Sequence, residues 1–598
     1  MLSYKAPLRD MRFVRDELLG FPALFAALPG CEEFTPDLVE AILAEAAKFC
    51  EEVLAPLYRS GDEEGCTWTA QGVRVPAGFR EAYAQYVEGG WAALSSPPEY
   101  GGQGLPPSIN LVVEDMLGTA NWAWAMYPGL SHGATRTIKA HGTEEQKRVY
   151  LPKLVSGEWT GTMCLTEAHA GSDLGMLRTR AEPHADGSYR ITGTKIFISA
   201  GDHDLAQNIV HIVLARLPDA PPGTKGISLF LVPKRLPQAD GSLVPNSVSC
   251  GSIEHKMGIN ASATCVMNFD AATGFLIGEP NRGLNHMFTF MNAARLGTAM
   301  QGLAAAELSF QGALAYARER LQGRSLSGPK NAAGPADPLI VHPNIRRMLL
   351  TQKAYAEGSR AFLYWLCQLV DIADKSADAA ARKQAEDLMA LLTPVAKAFV
   401  TEAGYEAANL GVQVFGGHGY VREHGMEQIV RDTRIALIYE GTSAIQALDL
   451  LGRKIMGSGG ELLRGFAAIV EQFCAENAGN ADMAPLVAAL TANGKRLEGL
   501  TMHIAGVAMK NPDEADAAAF EYLMFIGYFV LGFMWARMAR TALDALAGAT
   551  DETDFYRAKI ETARFYFQRI LPRTESLALC VEAGGATLMA LPQEHFAL

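Results

Sequence analysis

The hydrophobic period of this chain changes twice along its length. From about Thr35 to Val155 apolar residues recur three and four apart, as in PDLVEAILAEAAKFCEEVLAPL, which is the stripe of an amphipathic helix. A turn-rich break, SSPPEYGGQGLPP, separates this from a second helical stretch, INLVVEDMLGTANWAWAM. After Gly157 the runs become short and β-rich: YRITGTKIFIS, NIVHIVLARL and GISLFLV are parted by turns such as PHADGS and PDAPPGTKG. Helical spacing returns from about Gly283 to Glu319, then over Pro343–Val370 and Gln384–Leu410. Between these lie a Gly/Pro-rich connection, GRSLSGPKNAAGPADP, and a charged turn, DKSADAAARK. The pattern predicts a mainly α chain with a central β domain. Its divisions are an N-terminal extension (1–34), a helical domain (35–157), a β domain (158–280), a helical bundle domain (281–456) and, past the linker-like MGSGG, a C-terminal helical extension (461–598).

Composition narrows the function classes. A chain of 598 residues is too long for one core. A net charge of -13 with no Lys/Arg run excludes a nucleic-acid surface. Nine scattered cysteines, odd in number and without a CxxC pair, fit a reducing compartment and lead to no expectation of a metal site or disulfide. MLSYKAPLRDMRF lacks the apolar run of a secretory signal, and its acidic residue suits a transit peptide poorly, so a cytoplasmic location is the expectation. One segment, Tyr522 to Ala536, reads YLMFIGYFVLGFMWA, uncharged between Glu521 and Arg537. A membrane span needs about 20 apolar residues. A buried core helix is therefore the expected reading, with membrane-surface contact the alternative.

Four strings carry chemistry. Ile438-Tyr-Glu-Gly-Thr-Ser-Ala-Ile-Gln446 sets Glu440 behind an apolar approach, where a carboxylate becomes a better base; the same residues would also suit a helix N-cap. Met163-Cys-Leu-Thr-Glu-Ala-His-Ala-Gly-Ser-Asp173 is a small-residue loop after a β-like entry, able to bring backbone N–H groups to a ligand or simply to turn. In Gly193-Thr-Lys-Ile-Phe-Ile-Ser199, strand alternation puts Phe197 and Ser199 on one face, suited to a flavin ring or to a core. Gln413-Val-Phe-Gly-Gly-His-Gly-Tyr420 lacks the GKS/GKT ending of a P-loop and alone reads as a helix C-terminus.

Together and in this order, the strings resemble the acyl-CoA dehydrogenase family from about Thr35 to Lys454. The resemblance implies an N-terminal helical domain, a small β-barrel-like domain and a C-terminal four-helix bundle, here followed by an extra helical module. It implies FAD as cofactor and Glu440 as the catalytic base. Met163, Leu165 and Thr166 match the family's flavin-side strand, and Phe197-Ile198-Ser199 match the aromatic triplet packed on the flavin. Thr442 matches a position near the flavin pyrophosphate. Arg320, Gln413, Gly416 and Gly417 match residues that reach the FAD of an adjacent subunit, implying a homodimer or dimer of dimers. On the substrate side fall Gly171, Ser172, Arg295 near the thioester, Tyr439 and Gly441. Departures are Ala168-His-Ala-Gly171 for the usual proline-glycine-alanine-glycine, Ala444 for a common glutamine, and Gln-Gly-Arg for threonine-phenylalanine-glycine after Arg320.

The opening YKAPLRDMRF and the long extension look like the bacterial branch that includes 3-methylmercaptopropionyl-CoA dehydrogenases and related fatty acyl-CoA dehydrogenases. The implied reaction is α,β-dehydrogenation of an acyl-CoA to the trans-2-enoyl-CoA, with electrons passed to an electron-transfer flavoprotein. In the family the catalytic glutamate also holds the thioester carbonyl through its backbone N–H. The related acyl-CoA oxidases, which use oxygen, and an inactive flavin- or CoA-binding scaffold are the alternatives.

Overall fold

The computed structural model describes residues 2–597. They pack as two units: Glu45–Gly297, and the residues up to Ala44 together with those from Thr298 onward.

In the first unit, helix α1 (Pro107–His141) is interrupted at Asn121, whose backbone leaves the helical region and whose carboxamide accepts from the Trp124 N–H at 3.1 Å. This is an N-cap placed inside what reads as one apolar stretch. Helix α2 (Glu144–Val155) starts with a capping box between Thr143 and Gln146. The seven strands of the main sheet follow: β1 (Trp159–Cys164), β2 (Arg180–Pro183), β3 (Tyr189–Ser199), β4 (Asn208–Arg216), β5 (Ile227–Pro233), β6 (Val248–Ile253) and β7 (Thr264–Ile277). β7 pairs β3, β3 pairs β2, β2 meets β4, β4 pairs β5 and β5 returns to β7, so five strands close on themselves while β6 and β1 flank them. Closure removes exposed strand edges. Alternation does the rest: Val210, Ile212 and Leu214 of β4 join the helical side with Ile138, Leu151 and Phe290, while Val213 and Ala215 join Ile191 and Phe269 inside the β layer. Buried on both faces, β4 reads as the run NIVHIVLA, apolar apart from Asn208 and His211.

Helix α3 (Gly283–Glu319) contributes its first residues to that unit and the remainder to the other. The second unit adds α4 (Pro343–Lys375), α5 (Ala379–Phe415), α6 (Met426–Arg434), α7 (Ser443–Leu448), α8 (Glu461–Asn477), α9 (Ala484–Ala508), α10 (Asp513–Ala547), α11 (Thr553–Phe565) and α12 (Arg573–Ala583). α3 and α5 cross at Gly302 and Gly404, where a Cβ on Gly404 would sit 2.2 Å from the Gly302 carbonyl oxygen. MGSGG ends in a turn with Gly459 and Gly460 at φ 59° and 80°, which starts α8.

The apolar segment Tyr522–Ala536 lies in α10, and 83% of that helix's most apolar window is buried in the protein. The buried-core reading therefore holds. The Trp535 indole N–H donates to the Ala354 carbonyl at 3.0 Å, and the Tyr528 ring meets Phe399 edge-on at 4.8 Å. From α12, Arg573 clasps Glu406 of α5 at 2.7 and 2.8 Å. The N-terminal segment is tied in as well. Buried Asp10 accepts from Arg360 at 2.6 Å and from Lys559; Arg360 also pairs Glu307 at 2.9 Å, and Lys559 pairs Glu357 at 2.8 Å. Burial alone would raise the Asp10 pKa, but Lys559 and Arg360 outweigh it and hold the carboxyl down to about 2.

Candidate active site

In the RIALIYEGTSAIQ segment, α6 ends at Arg434, a tight turn covers Ile435–Leu437, and α7 begins at Ser443. The cap of α7 is Thr442, whose hydroxyl oxygen accepts from the Ile445 N–H at 3.2 Å. The capping option for this string thus falls on Thr442. Glu440 stands two residues before that cap, half-buried, with φ 59°. A non-glycine residue held in the left-handed region costs about 1–3 kcal/mol and persists only where its surroundings over-determine it.

Those surroundings are specific. The Gln446 carboxamide donates to the Glu440 carbonyl at 3.1 Å, and the buried Lys397 ammonium, from α5, donates to the Gly441 carbonyl at 2.6 Å. Gly441 has φ 89°, and a Cβ there would meet the Gln446 nitrogen at 2.5 Å, so only glycine fits. Ser443 donates to Glu402 at 2.8 Å. The Tyr439 hydroxyl donates to Gln301, which donates in turn to the Asp432 carbonyl at 2.9 Å. Ile438 is exposed, so it does not shield the carboxylate as an apolar approach would suggest.

In the Glu45–Gly297 unit, Leu165 and Thr166 follow β1. The Ile196 N–H donates to the Thr166 carbonyl at 2.9 Å. Buried Lys195 donates to the Leu165 carbonyl at 2.9 Å and pairs Glu167 at 2.8 Å. Glu167 also accepts from the Arg178 N–H (2.7 Å), the Thr179 N–H (3.0 Å) and the Thr179 hydroxyl (2.6 Å). Burial would raise its pKa; Lys195 and these donors hold it down to about 2. Glu167 and Ala170 exchange main-chain bonds of 3.1 and 3.0 Å, so Ala168-His169 make a tight turn without the family's proline. Gly171 and Ser172 follow, exposed, and a Cβ on Gly171 would meet nothing within 4 Å.

The register of β3 against β7 shifts between Lys195 and Ile198, a bulge at Ile196–Phe197. Phe197 takes φ 57° and is 60% exposed; Ile198 is buried and Ser199 half-buried. The bulge breaks strict alternation at Phe197, so it is burial that sets Phe197 and Ser199 apart from Ile198. Met163 is half-buried, and Arg295 is buried with its guanidinium 5.9 Å from the Phe288 ring centre.

Arg320, Gln413, Gly416 and Gly417 lie exposed at the C-terminal ends of α3 and α5. Tyr316 joins these two ends: its ring stacks on Phe415 at 4.0 Å and its hydroxyl meets His418 at 2.8 Å. Of the remaining candidates, Tyr439 to Thr442 share this second unit, whereas Met163, Leu165, Thr166, Gly171, Ser172, Phe197 to Ser199 and Arg295 belong to the first. Among the departures, Arg324 of Gln-Gly-Arg pairs with buried Asp337 at 3.2 Å, organising the loop after Arg320.

The donor set fits FAD. Within the Glu45–Gly297 unit, an exposed aromatic ring beside hydroxyl and main-chain groups suits a planar heterocycle with donors and acceptors at its rim; within the other unit, exposed Arg320 and the Thr442 hydroxyl suit phosphate oxygens. Four residues in this machinery escape sequence reading: Lys397, Gln446, Lys195 and Glu167. Three sit inside the strings already singled out; Lys397 is a lone cation in the otherwise apolar LLTPVAKAFV, which is the signal that could have found it.

A helical domain, a closed β layer and a helical bundle with an added helical module define the acyl-CoA dehydrogenase fold. Family models agree: the acyl-CoA dehydrogenase N-terminal domain matches residues 37–158, the middle domain 162–272, the C-terminal domain 281–456, and an acetyl-CoA dehydrogenase C-terminal-like module 466–592. The 3-methylmercaptopropionyl-CoA dehydrogenase of Ruegeria pomeroyi is 42% identical over 95% of this chain and 96% of its own length. The broad-specificity linear acyl-CoA dehydrogenase FadE5 of Mycobacterium tuberculosis is 33% identical over 100% of both chains. A Bacillus anthracis acyl-CoA dehydrogenase complexed with FAD shares the fold at TM-score 0.73 and 22% identity, covering 95% of this chain and 91% of that one. The chain belongs to the acyl-CoA dehydrogenase family; it is an oxidoreductase and its cofactor is FAD.

Proposed function

We propose that the enzyme dehydrogenates linear acyl-CoA thioesters between Cα and Cβ to the trans-2-enoyl-CoA, with Glu440 as the base. The observation that carries this reading is the strained, half-buried Glu440, clamped by Gln446 and Lys397 in the family's tyrosine-glutamate-glycine-threonine string. A thioester α-proton is too weakly acidic for a free carboxylate in water, so the enolate oxygen needs stabilisation as charge develops. The Glu440 N–H serves as one donor to that oxygen, and losing such a donor typically costs about 100- to 1,000-fold in rate. Bound FAD supplies the two-electron acceptor for the β-hydride. Phe197, Ser199, Met163, Leu165, Thr166 and Thr442 hold the cofactor, Gly171, Ser172, Arg295, Tyr439 and Gly441 serve the acyl-CoA, and Ile198 anchors its strand from the core.

The relative names support linear substrates, with 3-methylmercaptopropionyl-CoA the first to assay. Electrons pass to an electron-transfer flavoprotein, and peroxide release in air without that partner would instead make the enzyme an oxidase. The surface positions of Arg320, Gln413, Gly416 and Gly417 support a homodimer whose FAD is touched by the neighbouring copy. The primary test is Glu440→Gln: the variant keeps its bound FAD, and its flavin absorbance fails to bleach on adding acyl-CoA. Bleaching at the native rate would overturn the assignment.

A further inference from the structure

The left-handed conformation of Glu440 raises the question of what keeps it there. Relieving the φ of 59° requires rotation about the Glu440 N–Cα bond, which carries the carboxylate side chain and the Glu440 carbonyl away from their present directions. That rotation swings the Glu440 carbonyl, and this carbonyl is the one Gln446 holds at 3.1 Å. The next carbonyl, of Gly441, is held by Lys397 at 2.6 Å. Both side chains are wholly buried, and they come from different helices, Lys397 from α5 and Gln446 from α7. Gly441 packs against the Gln446 carboxamide closely enough to bar any side chain, so the amide is fitted to the loop and does not merely lie near it.

We infer that Lys397 and Gln446 are positioning residues that hold the Glu440 and Gly441 carbonyls, and with them the backbone of Glu440, in the one orientation that aims the base. The inference rests on reading Glu440 as that base. A buried ammonium is a costly device for stability alone, since an apolar residue would pack more cheaply there. Its use is geometric: both clamps act on the backbone on either side of Gly441, and neither needs to touch substrate.

The test uses the full-length, FAD-loaded protein and two near-isosteric variants, Gln446→Leu and Lys397→Met, beside Glu440→Gln. FAD content, kcat, KM for 3-methylmercaptopropionyl-CoA and exchange of substrate α-hydrogens into D2O are measured for each. Misplacing a reacting group by about 1 Å costs on the order of 100-fold. The expected result is a loss of kcat and of α-hydrogen exchange on that order per bound flavin, with KM and FAD content within about three-fold of the native enzyme. If Gln446→Leu, and Lys397→Met where it folds, keep kcat per flavin within about two-fold of native while Glu440→Gln is dead, the clamp inference is wrong and the base reading stands. If Glu440→Gln itself turns over normally, the base reading is the one that fails.

Discussion

At the scale of single residues, strain and buried charge occur together. Phe197 and Glu440 both take positive φ without being glycine, and each adjoins a buried lysine bound to a main-chain carbonyl: Phe197 follows Lys195, which holds Leu165, and Glu440 precedes Gly441, which Lys397 holds. A charge in the interior is tolerated only when its hydrogen-bonding capacity is filled. Lys195→Met leaves Glu167, itself almost wholly buried, without its cation. Breaking such a pair typically costs about 3–5 kcal/mol. The expected outcome is a clearly lowered urea midpoint together with weaker FAD retention, because the Leu165–Thr166 segment loses its anchor. An unchanged midpoint would show that the pair contributes little. A double substitution, Lys195→Met with Glu167→Gln, should recover part of the loss.

At the scale of elements, the β unit carries an acid-sensitive joint. His203, in the turn after β3, accepts at Nδ1 from the Leu205 N–H at 3.2 Å, so its proton is on Nε2, which meets the Thr160 hydroxyl at 3.0 Å. Burial, with Lys234 adding like charge, pushes its pKa from 6.5 down to about 3. The unfolded chain takes up a proton near 6.5 while the folded one does not, so the stabilising contribution is complete above about pH 6.5 and is lost as pH falls toward 3. From this group alone, stability at pH 5 should lie about 2 kcal/mol below that at pH 7. Thermal melts across that interval check it, and His203→Gln should flatten the slope; an unaltered slope excludes His203 as the cause. The elements themselves were readable because periods of 3.6 and 2 are local properties: α3 spans Gly283–Glu319, the range its spacing predicts. The bulge at Phe197 and the left-handed Glu440 were not readable. Each is imposed by partners outside its own string or by register, Lys397 lying 44 residues from Gly441, and nothing in a one-dimensional pattern encodes such constraints.

At the scale of the whole molecule, the C-terminal extension supplies core and not decoration. α10 buries Trp535 and Tyr528 against α4 and α5, and Gly527 admits the Phe399 ring so closely that a Cβ would fall 2.1 Å from it. A chain ending at Met456 would expose that apolar surface and leave Asp10 without Lys559. Its expected fate is aggregation, seen as void-volume elution in size-exclusion chromatography; a soluble, monodisperse, yellow protein would overturn this. Gly527→Leu should act in the same direction more mildly, as a lowered melting temperature with aggregation on heating. The Asp10–Lys559 pair also has a meaning in time. Its partners are 549 residues apart, and ribosomes add about 5–20 residues per second, so Asp10 leaves the exit tunnel roughly half a minute to two minutes before its cation exists. During translation Asp10 can therefore pair with Arg360 first, and this buried cluster is complete only once Lys559 has been made.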